Sequence, residues 1–418
     1  MRDKDLYQQI LGIKSPWRVF DVDLDVKGEA VTVHVALESN AELLCPECGA
    51  SCPGYDSRPR TWRHLDTCQF QTILAADVPR VECPEHGVRQ IRVPWAEPGS
   101  GFTALFEALV IDWLGEAPIK AVARRMNLSW SAIDTIMQRA VRRGLKRRET
   151  QSPRHLNIDE TSFARRHDYV TVVSNSATGH VLHVAQDRKT ESLERYFATL
   201  NEAQKQAIKS VAMDMWPAFI KATLAAVPQA REKIAFDKFH VAKHLGDAVD
   251  KVRRREHREL LAVGDQTLKG TKFQWLTNPQ NMSREKWMGF KLLRESALKT
   301  ARAWAMKETA MSLWHYVSRG WAERAWQGWL RWAACSRQSA MKKVVKMIRE
   351  HLWGILNAIV LKVHNGGAES INSKIQLVKY RARGFRNKRR FINAIYFHLG
   401  GLDLYPAGIP SRFTHTNQ

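Results

Sequence analysis

From Arg18 to Leu37 apolar and polar residues alternate one by one (RVFDVDLDVKGEAVTVHVAL), the two-residue period of a strand, and Gly28 falls where a hairpin would turn. From Gly101 the apolar spacing changes to three and four. TALFEALVIDWL, PIKAVARRM and WSAIDTIMQRAVRRG each carry an apolar stripe; Pro118 suits a first helical turn, Asn127-Leu128 make a turn, and Ser129 can cap the helix that follows. This outlines a helix-turn-helix, with a plain three-helix bundle as the alternative. From His155 the strand pattern returns: HLNIDE, then DYVTVVSN and HVLHVAQD flanking a turn at Ser176–Gly179, then KSVAMDM and KIAFDKFH, with helical ESLERYFATL and WPAFIKATLAAV around the first of these. Between Val241 and Lys362 no convincing strand is visible, and a long helical region is predicted that carries most of the tryptophans.

Three strands, then helix, strand, helix, strand, is the order of a ribonuclease H-like sheet, although composition alone says only mixed α/β. Trp314, Trp321, Trp326, Trp329 and Trp332 in the helical region are expected mainly in a core, with base stacking as the alternative.

The chain has 418 residues, 44 % of them hydrophobic, which predicts two to four folded domains. Its 65 Lys and Arg against 42 Asp and Glu give a formal charge of +23, so a polyanion is the expected partner, nucleic acid before an anionic membrane. No apolar run of about 18 residues occurs, and MRDKDLYQQI lacks the apolar core of a signal peptide, so a cytoplasmic protein is expected.

Five of the six cysteines lie between Cys45 and Cys83. Cys45-Pro-Glu-Cys48-Gly is a knuckle whose two thiolates can grip one ion, and Cys83-Pro-Glu-His86-Gly repeats it, so Cys45, Cys48, Cys83 and His86 are predicted to hold structural Zn(II). Cys52 and Cys68 rank lower, unligated thiols are the alternative, and Cys335 is expected as a buried small hydrophobe.

In a helix-turn-helix the second helix enters the major groove, so Ser129, Trp130, Ser131 and Asp134 are predicted to face bases, with RRGLKRRE near phosphates. Asp159 ends the first strand of the predicted sheet and Asp214 the fourth, which places two carboxylates side by side; Mg(II) is the usual cation for such all-oxygen sites. Glu369 is the only acid between Glu350 and Asp403, in a segment crowded with Lys and Arg. It follows Gly366-Gly367 on a predicted helix whose apolar face is Ile371, Ile375 and Val378, while Glu369, Asn372, Ser373 and Gln376 share a side that can look at the sheet. Glu160 points to the opposite face from Asp159 and is secondary. Asp237, His240 and His244 stand at ligand-like spacing; a zinc site is conceivable, but a structural hydrogen bond between Asp237 and His240 is the expected reading.

IDETSF, DYVTVV, MDMWPAFI, DKFHVAKHL and HNGGAESINSKIQLVKYRARGFRN, preceded by the two knuckles, together resemble the bacterial insertion-sequence transposases of the ISL-three family over nearly the whole chain. The resemblance implies a multidomain α+β protein: an N-terminal β-hairpin segment (1–40), a zinc ribbon (41–97), a helix-turn-helix (101–150), a ribonuclease H-like α/β catalytic domain in two parts (151–256 and 345–405) interrupted by a tryptophan-rich helical insertion (257–344), and a tail (406–418). It implies catalytic Asp159, Asp214 and Glu369 holding two Mg(II) or Mn(II) ions for DNA strand cleavage and transfer at terminal inverted repeats and target DNA. Ser370, where the family commonly has Gly, and His86, in place of a fourth cysteine, are departures that keep the ligands. Lys374, Lys379, Arg381, Arg383, Arg386, Lys388, Arg389 and Arg390 are predicted to hold the cleaved end's phosphates, in a homodimer or larger synaptic complex. The alternative function is a non-catalytic DNA-binding regulator derived from such a transposase.

Overall fold

The computed structural model describes residues 3–149, 152–164, 168–363 and 366–409. The chain forms two units by their internal contacts, Met1–Arg148 with Leu402–Gln418, and Glu149–Gly401.

The first unit begins with helix α1 (Asp3–Ile10), which the alternating pattern beside it did not announce, followed by β1 (Trp17–Asp25), β2 (Ala30–Leu37), β3 (Gly54–Arg63), β4 (Gln71–Cys83) and β5 (Gly87–Gln90). β1 and β2 pair antiparallel as the predicted hairpin. They do not stand alone: β2 pairs parallel with β4, β3 pairs antiparallel with β4, and β5 folds back on β4, so hairpin and cysteine segment share one five-stranded sheet. The period of two explains why. Val31, Val33 and Val35 on β2 and Leu74, Ala76 and Val78 on β4 all turn to one buried face, where Trp95 packs edge-on against Trp17 and Trp62.

Helices α2 (Ala104–Glu116), α3 (Ile119–Arg125) and α4 (Trp130–Arg147) complete this unit. Thr103 caps α2, Pro118 precedes α3 and Ser129 caps α4 by accepting from the Ala132 N–H at 3.1 Å. Glu107 on α2 is buried and paired with Arg139 at 2.6 Å and Arg143 at 3.0 Å, both on α4. The last described segment returns here: Arg143 donates to the Leu404 carbonyl, and Arg147 pairs with Asp403 at 2.9 Å.

The second unit is built on β6 (His155–Ala164), β7 (Asp168–Asn175), β8 (Val181–Ala185), β9 (Ser210–Met213) and β10 (Ile234–Phe236) in the order β10-β9-β6-β7-β8. β6, β7 and β8 pair antiparallel, whereas β9 and β10 join parallel to β6 through helical crossovers α5 (Thr190–Ala198), α6 (Glu202–Ala207), α7 (Pro217–Ala226) and α8 (Ala230–Lys233). This is the ribonuclease H-like sheet. The long α9 (Lys238–Leu261) leads into α10 (Lys272–Leu276), α11 (Arg284–Gly289), α12 (Lys291–Arg294), α13 (Lys299–Ser312) and α14 (Arg319–Ala334), and the chain returns by α15 (Ser339–Leu361) to α16 (Gly366–Arg381) and α17 (Lys388–Leu399).

A single apolar cluster runs from the sheet into these helices, linking Ile158, Met213 and Phe236 to Trp275, Trp326 and Ile355. Gly354 on α15 lies against Phe236, whose ring takes the place where a Cβ would be, so the helix approaches β10 as closely as a missing side chain permits. The tryptophans divide. Trp326 and Trp329 are buried and Trp314 packs partly against the core, but Trp321 is 63 % exposed and Trp332 38 %. Cys335 is a correction: it follows the last turn of α14 as its C-cap and is exposed. No helix among the described residues is long and apolar enough to cross a membrane.

Candidate active site and metal centre

β6 and β9 run parallel with Ile158 opposite Met213, so Asp159 and Asp214, each the next residue, stand at the same level. Asp214 follows the end of β9, but Asp159 is a correction to the expected strand end, since β6 runs on to Ala164 and Asp159 pairs with Val172 of β7 within it. Each carboxylate is steadied by the following backbone N–H, Glu160 to Asp159 at 2.7 Å and Met215 to Asp214 at 2.6 Å. Burial pushes the Asp159 carboxyl up to about 6, with the charges of Asp214 and Asp237 adding to the rise and the Glu160 N–H and His240 opposing it. This is a donor set short of positive charge, and it suits a hard cation.

Helix α16 lies along β6. Gly367 meets Asn157, Asn372 donates to Asp159 Oδ2 at 2.8 Å, Gln376 donates to Thr161 at 2.9 Å, and Lys379 donates to the Ser162 carbonyl at 3.0 Å. Ala368, Ile371 and Ile375 are buried along the flank of the helix next to these contacts. Glu369 precedes Asn372 by three residues, hence by about 4.5 Å along the axis and within about 60° around it. It is exposed, on the helix side that meets the strand of Asp159.

Asp237 caps α9, accepting from the Phe239 N–H at 3.1 Å. His240 lies 3.5 Å from Asp214 through Nδ1 and 3.8 Å from Asp237 through Nε2, the second being an ion-pair distance too long for a hydrogen bond. His244 is pushed down from its ordinary value by burial, with Asp214 opposing. Two neighbours lacked a sequence signal. Arg188 pairs with Glu160 at 3.5 Å while its guanidinium lies 4.4 Å from the Trp216 ring centre, and Asn157 sits two residues before Asp159 on the same face. Only the alternation along β6 could have pointed to Asn157.

In the first unit Cys45, Cys48, Cys83 and His86 gather with all ligand atoms within 4.8 Å of one another. The Cys48–Cys83 sulfurs are 3.7 Å apart and Cys83 is 3.5 Å from His86 Nδ1, close to the edge of about 3.8 Å that tetrahedral Zn–S bonds of about 2.3 Å require. Gly49 and Gly87, at φ 74° and 64°, make the knuckle turns. Burial raises the Cys83 thiol, but the N–H groups of His86 and Glu85 and the neighbouring thiols outweigh it and bring it to about 7. Cys52 is buried beside the group, its thiol raised by burial, and Cys68 is exposed; neither belongs to the four.

Residues 156–395 match the transposase domain of the ISL3 family, 57 % of the chain, which decides the family. The chain belongs to the ISL3 transposases. In this family member residues 91–141 match the helix-turn-helix domain of transposase family ISL3, and residues 42–86 the zinc-finger of the transposases of IS204, IS1001, IS1096 and IS1165. It is 27 % identical to the transposase for insertion sequence element IS1557 of Mycobacterium tuberculosis, with 99 % of each chain covered. It is 26 % identical to the transposase for IS1001 of Bordetella parapertussis over 366 residues, 86 % of this chain and 90 % of that one.

On the ISL3 helix-turn-helix, Ser131 is exposed and Trp130 is 39 % exposed at the start of α4. Asp134 is a correction: it turns inward, 4 % exposed, and accepts from Gln138 at 2.7 Å. Among the basic residues following Glu369, Lys374, Arg381, Arg383, Arg386, Arg389 and Arg390 are exposed. Lys388 is committed within the fold, to Asp168 at 2.5 Å and the Gln186 carbonyl at 2.7 Å, and Lys379 to the Ser162 carbonyl.

Proposed function

We propose that this chain is an active DNA transposase in which Asp159, Asp214 and Glu369 hold two divalent ions, Mg(II) or Mn(II), and act on the ends of an insertion sequence. The observation that carries the reading is the bond from Asn372 to Asp159, which sets the glutamate-bearing face of α16 against the strand of the first aspartate, beside the strand of the second. Bound ions would supply an activated water or 3′-hydroxyl and stabilise the leaving oxygen. The residues have separable duties. Glu160 N–H and Asn372 orient Asp159, Met215 N–H orients Asp214, and His240 faces Asp214. The exposed cations from Lys374 to Arg390, on α16, the connection after it and the start of α17, bind phosphate, so the metal and the polyanion are served by adjoining segments.

The zinc knuckles hold β4 and β5 to the loop carrying Cys45 and Cys48, and α4 reads the terminal repeats through Ser129, Trp130 and Ser131. Two ends must be joined, so a homodimer or larger synaptic complex forms on double-stranded DNA, in the bacterial cytoplasm. Asp159→Asn and Glu369→Gln are expected to retain binding to a duplex bearing the element's end and to lose Mg(II)-dependent cleavage and strand transfer. Cleavage persisting in either variant, at a rate within tenfold of the parent, would sink the assignment.

A further inference from the structure

Asn157 is a buried polar side chain with no evident structural partner. It is 1 % exposed, and among the described residues neither its Nδ2 nor its Oδ1 has a hydrogen-bond partner. Buried carboxamides are ordinarily satisfied, and an apolar residue would fill this place in the sheet without leaving polar atoms unpaired. By the alternation of β6 it shares a face with Asp159 and Thr161, the two residues bonded by Asn372 and Gln376. Above it lies the first turn of α16: a Cβ on Gly367 would stand 3.0 Å from Asn157 Nδ2. The contact is one of packing: the carboxamide, through its Nδ2, takes the space beside Gly367 that a side chain would otherwise fill.

We propose that Asn157 is a positioning residue for the glutamate helix: its carboxamide seats the first turn of α16 and sets where Glu369 stands relative to Asp159. Gly367 is then glycine because the seat occupies the space of a side chain. Gln376 and Asn372 fix the later turns, and Asn157 fixes the turn that bears the carboxylate. This rests on the reading of Glu369 as a metal ligand.

The test compares Asn157→Ala, Gly367→Ala and the double variant with the parent chain. Amide exchange of residues 366–372, measured in EDTA, is expected to quicken about tenfold in Asn157→Ala with β7 and β8 unchanged. The Mg(II) concentration for half-maximal cleavage of a duplex bearing the element's end is expected to rise about tenfold, with duplex binding in EDTA within twofold. Gly367→Ala should show both effects with the carboxamide intact. The double variant should resemble Asn157→Ala alone, because the new methyl then finds room. Unchanged exchange at 366–372, loss of protection throughout the sheet, or losses that multiply in the double variant overturn the proposal. If Asn157→Ala does not fold, Gly367→Ala decides, and parent-like exchange and Mg(II) dependence in it overturn the proposal. Glu369→Gln on the same duplex separates the two ideas. Activity in that variant removes the reading of the site, whereas its inactivity beside a parent-like Asn157→Ala removes only the seat.

Discussion

Replacing Asp159 by Asn should stabilise the metal-free protein at neutral pH while removing its activity. The carboxyl titrates at about 6 in the fold against 3.8 ordinarily, because burial and the charges of Asp214 and Asp237 penalise the anion. A raised acid favours the folded state fully below the unfolded value and loses that contribution as pH rises through the folded value. The parent should therefore lose stability between pH 4 and 7. At about 1.4 kcal/mol for each tenfold change in proton affinity, the loss is about 3 kcal/mol. Asparagine carries no charge and escapes the loss. It offers one acceptor where Asp159 offers two, to the Glu160 N–H and to Asn372 Nδ2, so Asn372 must turn its amide, at a cost of about 1 kcal/mol. The net gain is about 2 kcal/mol at pH 7.5, or roughly thirty-fold slower amide exchange in β6, shrinking to nothing or reversing at pH 4. Exchange of the β6 peptide in EDTA, corrected for intrinsic rates at both pH values, measures this. A variant less protected than the parent at pH 7.5, or a difference that does not change with pH, would refute the electrostatic account of the site.

Other parts of the molecule offer independent checks. Glu107→Ala leaves the Arg139 guanidinium without its buried carboxylate, while Arg143 keeps Glu97, and should cost about 3 kcal/mol, read as a lower melting temperature of the first unit together with weakened duplex binding. Cys48→Ser, or prolonged chelation, should remove one equivalent of bound zinc and weaken duplex binding, measured by metal analysis and mobility shift. Gly354→Ala forces a methyl into the Phe236 ring and should cost about 1–3 kcal/mol in thermal unfolding; a neutral result would mean that α15 does not sit so close to β10. Arg386→Ala should reduce the salt dependence of duplex binding by about one contact, whereas Lys388→Ala, whose ammonium is already paired with Asp168, should change stability instead.

Much of this was written in local pattern. The alternation of residues 18–38, the three-and-four spacing after Gly101 and the strand–helix order after His155 each predicted elements found in the fold, because side-chain periodicity and secondary-structure period are the same constraint. The four knuckle residues were legible for a similar reason: a two-residue gap plus a glycine suffices to fold two ligands onto one ion. Asp159 and Asp214 could be placed side by side because a crossover connection makes their strands parallel, although β6 runs past Asp159 to Ala164 where a strand end was expected.

Pairing between segments distant in sequence was decided only by the tertiary structure. That β2 lies beside β4, so that the hairpin and the cysteine segment are one sheet, depends on which buried faces match, and no single segment carries that information. Asp134 looked like a base-reading residue from its place near a helix start, but α4 turns that position inward. Lys388 looked free in a basic run until Asp168 and a carbonyl were brought to it. Arg188 and Asn157 are ordinary residues in the sequence. They matter because packing brings one against Glu160 and Trp216 and the other beneath Gly367. The sequence alone thus determined most of the elements, α1 excepted, and the residue types of the candidate sites, since both follow from local spacing. Charge balance, burial and the neighbours of each carboxylate arose from contacts across more than two hundred residues, such as Asn372 with Asp159, and those exist only once the chain has closed on itself.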